Sequence, residues 1–200
     1  MMTIHDIAGF CPEEAVWKLL ADVSECLLND GVGNGLSPGV VTIDGNTFMV
    51  NGTEEAENTF QAPEHKDGQP SDEKENVWSL GATAYYAATG HVVFGGHGGS
   101  YQKEHPLVTL PALPKGMQAL TPLMQRCLCY DANERIGLKA LNDLARKGFE
   151  ECGKLGRTFR GKRREERGER RENSAFPIKE ERGEKWPEEM RAAGFALNDK

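Results

Sequence analysis

Asn76-Val77-Trp78-Ser79-Leu80-Gly81-Ala82-Thr83-Ala84-Tyr85-Tyr86-Ala87-Ala88-Thr89 is the stretch on which the fold turns. Val77, Leu80, Gly81, Ala84 and Ala88 recur at helical spacing on one face, while Trp78, Tyr85 and Tyr86 occupy the other. A helix over 76–89 that is apolar nearly all round has no side to offer to water. It is therefore expected at the centre of a domain, with other elements packed around it.

Those other elements are legible on both sides. Upstream, Val16, Leu19, Leu20, Val23 and Leu27 predict an amphipathic helix over 13–28, opened by Pro12, Glu13 and Glu14. The Gly- and Asn-rich stretch 29–35 reads as a loop. Two short β-branched runs, 40–43 and 47–50, flank Asp44-Gly45-Asn46 and predict a β-hairpin. The stretch 51–75 is polar, with an apolar island at 60–63. Downstream, 95–116 reads as a long loop rich in Gly and Pro. Two further helices are expected over 116–130, lined by Met117, Leu120, Met124 and Leu128, and over 137–149, lined by Leu138, Leu141, Leu144 and Ala145. The fold class is mainly α with a small β-hairpin.

The apolar pattern stops near residue 154, and the charge changes sign there. The chain of 200 residues carries 31 acidic and 24 basic side chains and a net charge of −7. Residues 1–154 hold 21 acidic and 11 basic ones, a net of −10; residues 155–200 hold 10 and 13, a net of +3. We read 1–154 as the folded domain and 155–200 as a disordered, charged tail. The run 157–171, with eight basic and three acidic residues, has too little apolar surface to offset ordering entropy. A short helix over 185–197 is the one element expected within that tail. An acidic body argues against nucleic acid as the ligand, because phosphates need a positive face. It suits a basic protein or peptide partner. No apolar run of about 18 residues predicts a membrane span. Met1-Met2-Thr3-Ile4-His5-Asp6 does not resemble a secretion signal, and five cysteines without framework spacing fit a reducing, cytoplasmic setting.

Few residues suggest chemistry. Gly31-Val32-Gly33-Asn34-Gly35 and Gly95-Gly96-His97-Gly98-Gly99 read as loops or, less favoured, as phosphate cradles; neither completes a P-loop or a dinucleotide fingerprint. Cys127 and Cys129 fall on different sides of a predicted helix, and His91, His97 and His105 lack zinc spacing. No nucleophile elbow occurs, and Ser79 reads as a packed hydroxyl. No cofactor and no metal are expected.

Three motifs stand in a telling order: Phe60-Gln61-Ala62-Pro63-Glu64, then Val77-Trp78-Ser79-Leu80-Gly81, then Asp131-Ala132-Asn133-Glu134-Arg135. This order resembles the C-terminal lobe of a protein kinase. Ala62-Pro63-Glu64 resembles the end of the activation segment, 77–81 the central F helix, and 36–50 the catalytic loop with its hairpin. The resemblance implies a structural ion pair between Glu64 and Arg135.

It also implies what is gone. Gly33-Asn34-Gly35 stands where the catalytic His-Arg-Asp would be, Val40 where an asparagine would bind magnesium, and Asn51-Gly52-Thr53 where Asp-Phe-Gly would follow. Asn76 replaces the aspartate that braces the catalytic loop. The ATP-binding lobe, with its glycine-rich strands and lysine, has no counterpart in the resemblance. Phosphoryl transfer rests on positioning and charge neutralisation by such groups, so no kinase activity is expected.

With Pro12-Glu13-Glu14-Ala15-Val16-Trp17, Ser37-Pro38 and Ser79-Leu80-Gly81-Ala82-Thr83 added, the chain is similar to the KIND domain, the kinase non-catalytic C-lobe domain, over roughly 4–150. That resemblance implies a pseudokinase scaffold in signalling or cytoskeletal regulation, of the kind carried by a Ras guanine-nucleotide exchange factor, which binds segments of partner proteins. No motif marks the binding surface. Two other readings stand beside it: a degraded kinase that retains nucleotide binding, and a basic tail that folds back on the acidic lobe.

Overall fold

The computed structural model describes residues 2–30, 35–51, 57–66 and 69–154. In chain order it comprises β1 (Met2–Thr3), α1 (Ile4–Ile7), α2 (Glu13–Asp30), β2 (Val41–Asp44), β3 (Thr47–Val50), a 3-10 turn (Asn58–Phe60), α3 (Glu73–Thr89), α4 (Gly98–Glu104), a second 3-10 turn (Gln118–Leu120), α5 (Thr121–Cys127) and α6 (138–154). The tail, its expected helix over 185–197, and most of the first glycine run lie outside the described residues.

The helix over 76–89 is the hub. It starts three residues earlier than its apolar pattern, at Glu73, because Asp72 and Glu75 form a reciprocal capping box. It stops at Gly90, whose left-handed backbone (φ 73°) lets its N–H return to the Tyr86 carbonyl. Between Asn76 and Ala88 every α3 residue except Tyr86 is buried. The apolar face of α2 packs on α3 and on β3, and Ile4 and Ile7 of α1 are wholly buried in the same core. One continuous buried cluster takes in apolar side chains from α1, α2, α3, α5, α6 and the sheet, with Tyr101 of α4 packed against it.

The hairpin forms with Ile43 opposite Phe48 and Asp44 opposite Thr47. It is not alone. Met2 and Thr3 pair antiparallel with Ile43 and Thr42, which makes a three-stranded sheet in the order β1-β2-β3. Two residues carry too little pattern to be read as a strand; the pairing partner supplies the order. The Asp22 carboxylate ties the sheet to α2, accepting from the Phe48 amide at 3.0 Å and pairing with Lys18 at 2.8 Å.

Three expectations need correction. The loop 95–116 contains α4, which opens on Gly98-Gly99, poor helix formers in isolation. Their lack of a side chain is what the position requires. A Cβ at Gly98 would collide with the Thr59 carbonyl, and one at Gly99 with the Gln61 carbonyl. Tertiary contact thus creates a helix that local propensity opposes. The helix expected over 116–130 is a 3-10 turn followed by α5, which ends at Cys127. The last helix runs on to 154, past the expected 149.

Candidate functional site

Two of the three motifs meet beside the N-terminal end of α3, the helix that bears the third. Arg135, only 2% exposed, lies against Glu64 from the Ala62-Pro63-Glu64 turn; its Nη1 donates to Glu64 Oε1 and its Nη2 to Oε2 at 3.1 Å. The rest of the guanidinium is also used. Nη1 donates to the Lys74 carbonyl (2.8 Å), Nε to Cys129 (3.0 Å) and Nη2 to Tyr130 (3.3 Å). Lys74 reciprocates by donating its ammonium to the Arg135 carbonyl. Nearby, Glu73 accepts the Leu138 amide at 2.9 Å, and His65 meets Glu75 at 3.2 Å. One turn along α3, Trp78 Nε1 donates to Gln102 Oε1 (2.8 Å), and Gln102 Nε2 donates to the Leu128 carbonyl (2.7 Å). This end of the domain is a closed polar network. A polar network of this kind fixes geometry.

The positions that the resemblance aligns with catalytic groups hold no carboxylate. Val40 is buried. Asn51 donates to Thr42 Oγ1 (2.9 Å), and Asn76 spends its amide on the Asp72 carbonyl at its own helix start (2.8 Å). Among the described residues, no group of three or more His, Cys, Asp and Glu side chains is placed to hold a metal ion. Burial pushes the Cys11 and Cys127 thiols up to about 12 and Cys152 to about 11, so all three stay protonated at neutral pH. Cys127 ends α5 and Cys129 lies beyond it. Two of the four glycines of the second run, Gly98 and Gly99, press on the 59–63 backbone, while Gly95 and Gly96 meet nothing within 4 Å. His97 and His105 stack on Tyr101 along α4. No described helix is long and apolar enough to cross a membrane.

A shallow groove lies at the other end of α3. Tyr85, Tyr86, His91, Val92, Gly95 and Pro111 line it, and its volume is about 650 Å³. Burial raises the Tyr85 phenol, opposed by its bond with Thr89. Tyr86 is held at its hydroxyl, 3.4 Å from His5 Nδ1, and its ring meets Phe60 edge-on. The opposite nitrogen of His5 lies 2.9 Å from Glu57 Oε1, and that carboxylate is half exposed. His5 thus joins the start of the chain to the 57–60 turn and to α3. Sequence reading did not single out His5, Glu57 or Gln102. Each acts across more than twenty positions, and no local pattern marks it.

No protein-family model and no curated protein matches this chain.

Proposed function

We propose that the chain is a catalytically inactive, kinase-C-lobe-like interaction module of the KIND type, which holds a basic segment of a partner protein. The observation that carries this reading is the Glu64–Arg135 pair, which joins two of the three motifs by the contact that the kinase-lobe resemblance implies. The α3 hub bearing the third motif lies beside it, tied in through Lys74 and Glu73. The inactive part of the reading is supported by Gly35, Val40, Asn51 and Asn76, which offer neither a base nor a metal ligand of the kinase set. The basic-partner part is supported by the net charge of −10 over 1–154. On this reading the chain serves signalling or cytoskeletal regulation, as a piece of a Ras exchange-factor type of protein, in the cytoplasm.

The competing enzyme reading retains nucleotide. Thermal denaturation of the full chain with rising ATP and magnesium separates the two, because a ligand that binds the folded state raises the midpoint with concentration. The module reading expects a flat midpoint with nucleotide and a rising one with a lysine- and arginine-rich peptide. A concentration-dependent rise with ATP and none with the peptide would replace it by the enzyme reading.

A further inference from the structure

We propose that residues 155–164 of the same chain dock across the start of α2, on Phe10, Glu13 and Glu14, a contact within the chain that goes beyond the module reading and does not rest on it. The packing of α6 decides where that segment begins. Asn142 donates to the Ala21 carbonyl, Gly148 lies against the Trp17 ring, and a Cβ at Gly153 would stand 3.7 Å from Glu14 Oε1. Numbering rises along α6 as it falls along α2, so the described chain ends at Lys154 beside the first turn of α2. Glu13 and Glu14 add to burial in holding up the Cys152 thiol, which places both carboxylates around that exit.

The surface at the exit suits the segment that leaves it. Glu13 and Glu14 are partly exposed, and among the described residues neither takes part in an ion pair. Phe10, just upstream of Glu13, is 61% exposed. Leu155-Gly156-Arg157-Thr158-Phe159-Arg160-Gly161-Lys162-Arg163-Arg164 carries five cations, one aromatic ring and no acid. Phe159 can lie up to about 17 Å from Lys154, farther than the roughly 10 Å that the chain allows between Phe10 and Glu13. The net charge of −10 over 1–154 draws cations to the domain; the exit and Phe10 fix where they settle. The tether holds the segment at a local concentration on the order of millimolar, so ion pairs of exposed strength are enough to seat it.

The test is brief trypsin digestion of the full chain, with the cuts located by mass spectrometry. Docked arginines are cut only when the contact opens. Cleavage after Arg157 and Arg160, taken relative to cleavage after Arg171 in the same chain, therefore reads the open fraction. Glu13→Gln with Glu14→Gln is expected to raise that ratio about fivefold, the scale of two exposed ion pairs. Phe10→Ser is expected to raise it about threefold, through lost apolar contact. Glu104→Gln with Glu134→Gln removes the same charge at exposed positions away from α2 and α6, and is expected to change it less than about twofold. Cuts after Arg126 of α5 would mark a variant that has unfolded. The native chain at about 500 mM salt then gives the reading, with the same rise of about fivefold expected. A ratio unmoved by the Glu13–Glu14 change, by Phe10→Ser or by salt, or moved as far by the Glu104–Glu134 control, would overturn the docking while leaving the module reading intact.

Discussion

Arg135 and Glu64, separated by 71 positions of sequence, form a bidentate ion pair whose arginine is almost wholly buried. Every nitrogen of that guanidinium has a partner, and three of the acceptors are backbone carbonyls. Arg135→Met strips the donor from Glu64 and from the carbonyls of Lys74, Cys129 and Tyr130 at once. Glu64→Gln leaves the wholly buried guanidinium without its counter-charge. Each is expected to cost about 3–5 kcal/mol, the range for breaking a buried pair from one side. Urea unfolding midpoints measure both; a loss below about 1 kcal/mol for either, the scale of an exposed pair, would contradict the network described.

A second prediction concerns Gly148 on α6. Glycine to alanine within a helix ordinarily gains about 1 kcal/mol. Here a Cβ would stand 2.5 Å from the Trp17 ring, which is 8% exposed and packed between α2 and α6. Gly148→Ala is expected to destabilise by about 1–3 kcal/mol, the cost of overpacking. A gain in thermal midpoint would show that the two helices do not approach this closely.

Thr83 gives a prediction of opposite sign. Its hydroxyl is completely buried in α3 and has no hydrogen-bond partner among the described residues. An unsatisfied buried polar group costs about 1–3 kcal/mol, and valine keeps the shape. Thr83→Val is therefore expected to raise the unfolding midpoint, and a fall would reveal a partner for that oxygen.

The buried thiols set a pH dependence. Cys11 and Cys127 are raised from 9.0 to about 12 by burial. In the unfolded chain they ionise near pH 9, while in the folded chain they resist. The folded state thus binds more protons in that window, and stability is fully present below pH 9 and falls as pH rises from about 9 towards 12. A Cys11→Ala, Cys127→Ala double variant is expected to flatten that fall in unfolding scans. Iodoacetamide at pH 8 is expected to label Cys26 and Cys129, which are partly exposed, well before Cys11 and Cys127. Equal labelling rates would contradict the burial.

The hub helix and the hairpin were readable because periodicity alone specifies them: 77–88 has no polar face, and Asp44-Gly45 turns one β-branched run onto another. The capping box that sets the start of α3 was also present in the sequence, as Asp72 three residues before Glu75, but lay outside the apolar pattern. Helix α4 was not readable, since Gly98-Gly99 opposes a helix until the 59–61 backbone packs on it. Of the candidate site, the Glu64–Arg135 pair could be anticipated from motif order. The groove could not: its walls come from the end of α3, from the loop behind it and from Pro111, and its link to Glu57 runs through His5 at the far end of the chain.

The central claim, an acidic lobe that holds a basic segment, is tested most directly by titrating the full chain with a peptide of alternating arginine and proline at about 50 mM and about 500 mM salt, against one of alternating glutamate and proline. The account predicts saturable binding of the arginine peptide at low salt, weakened about tenfold or more at high salt, and none of the glutamate peptide. Equal affinity for the two peptides, or affinity indifferent to salt, would contradict it.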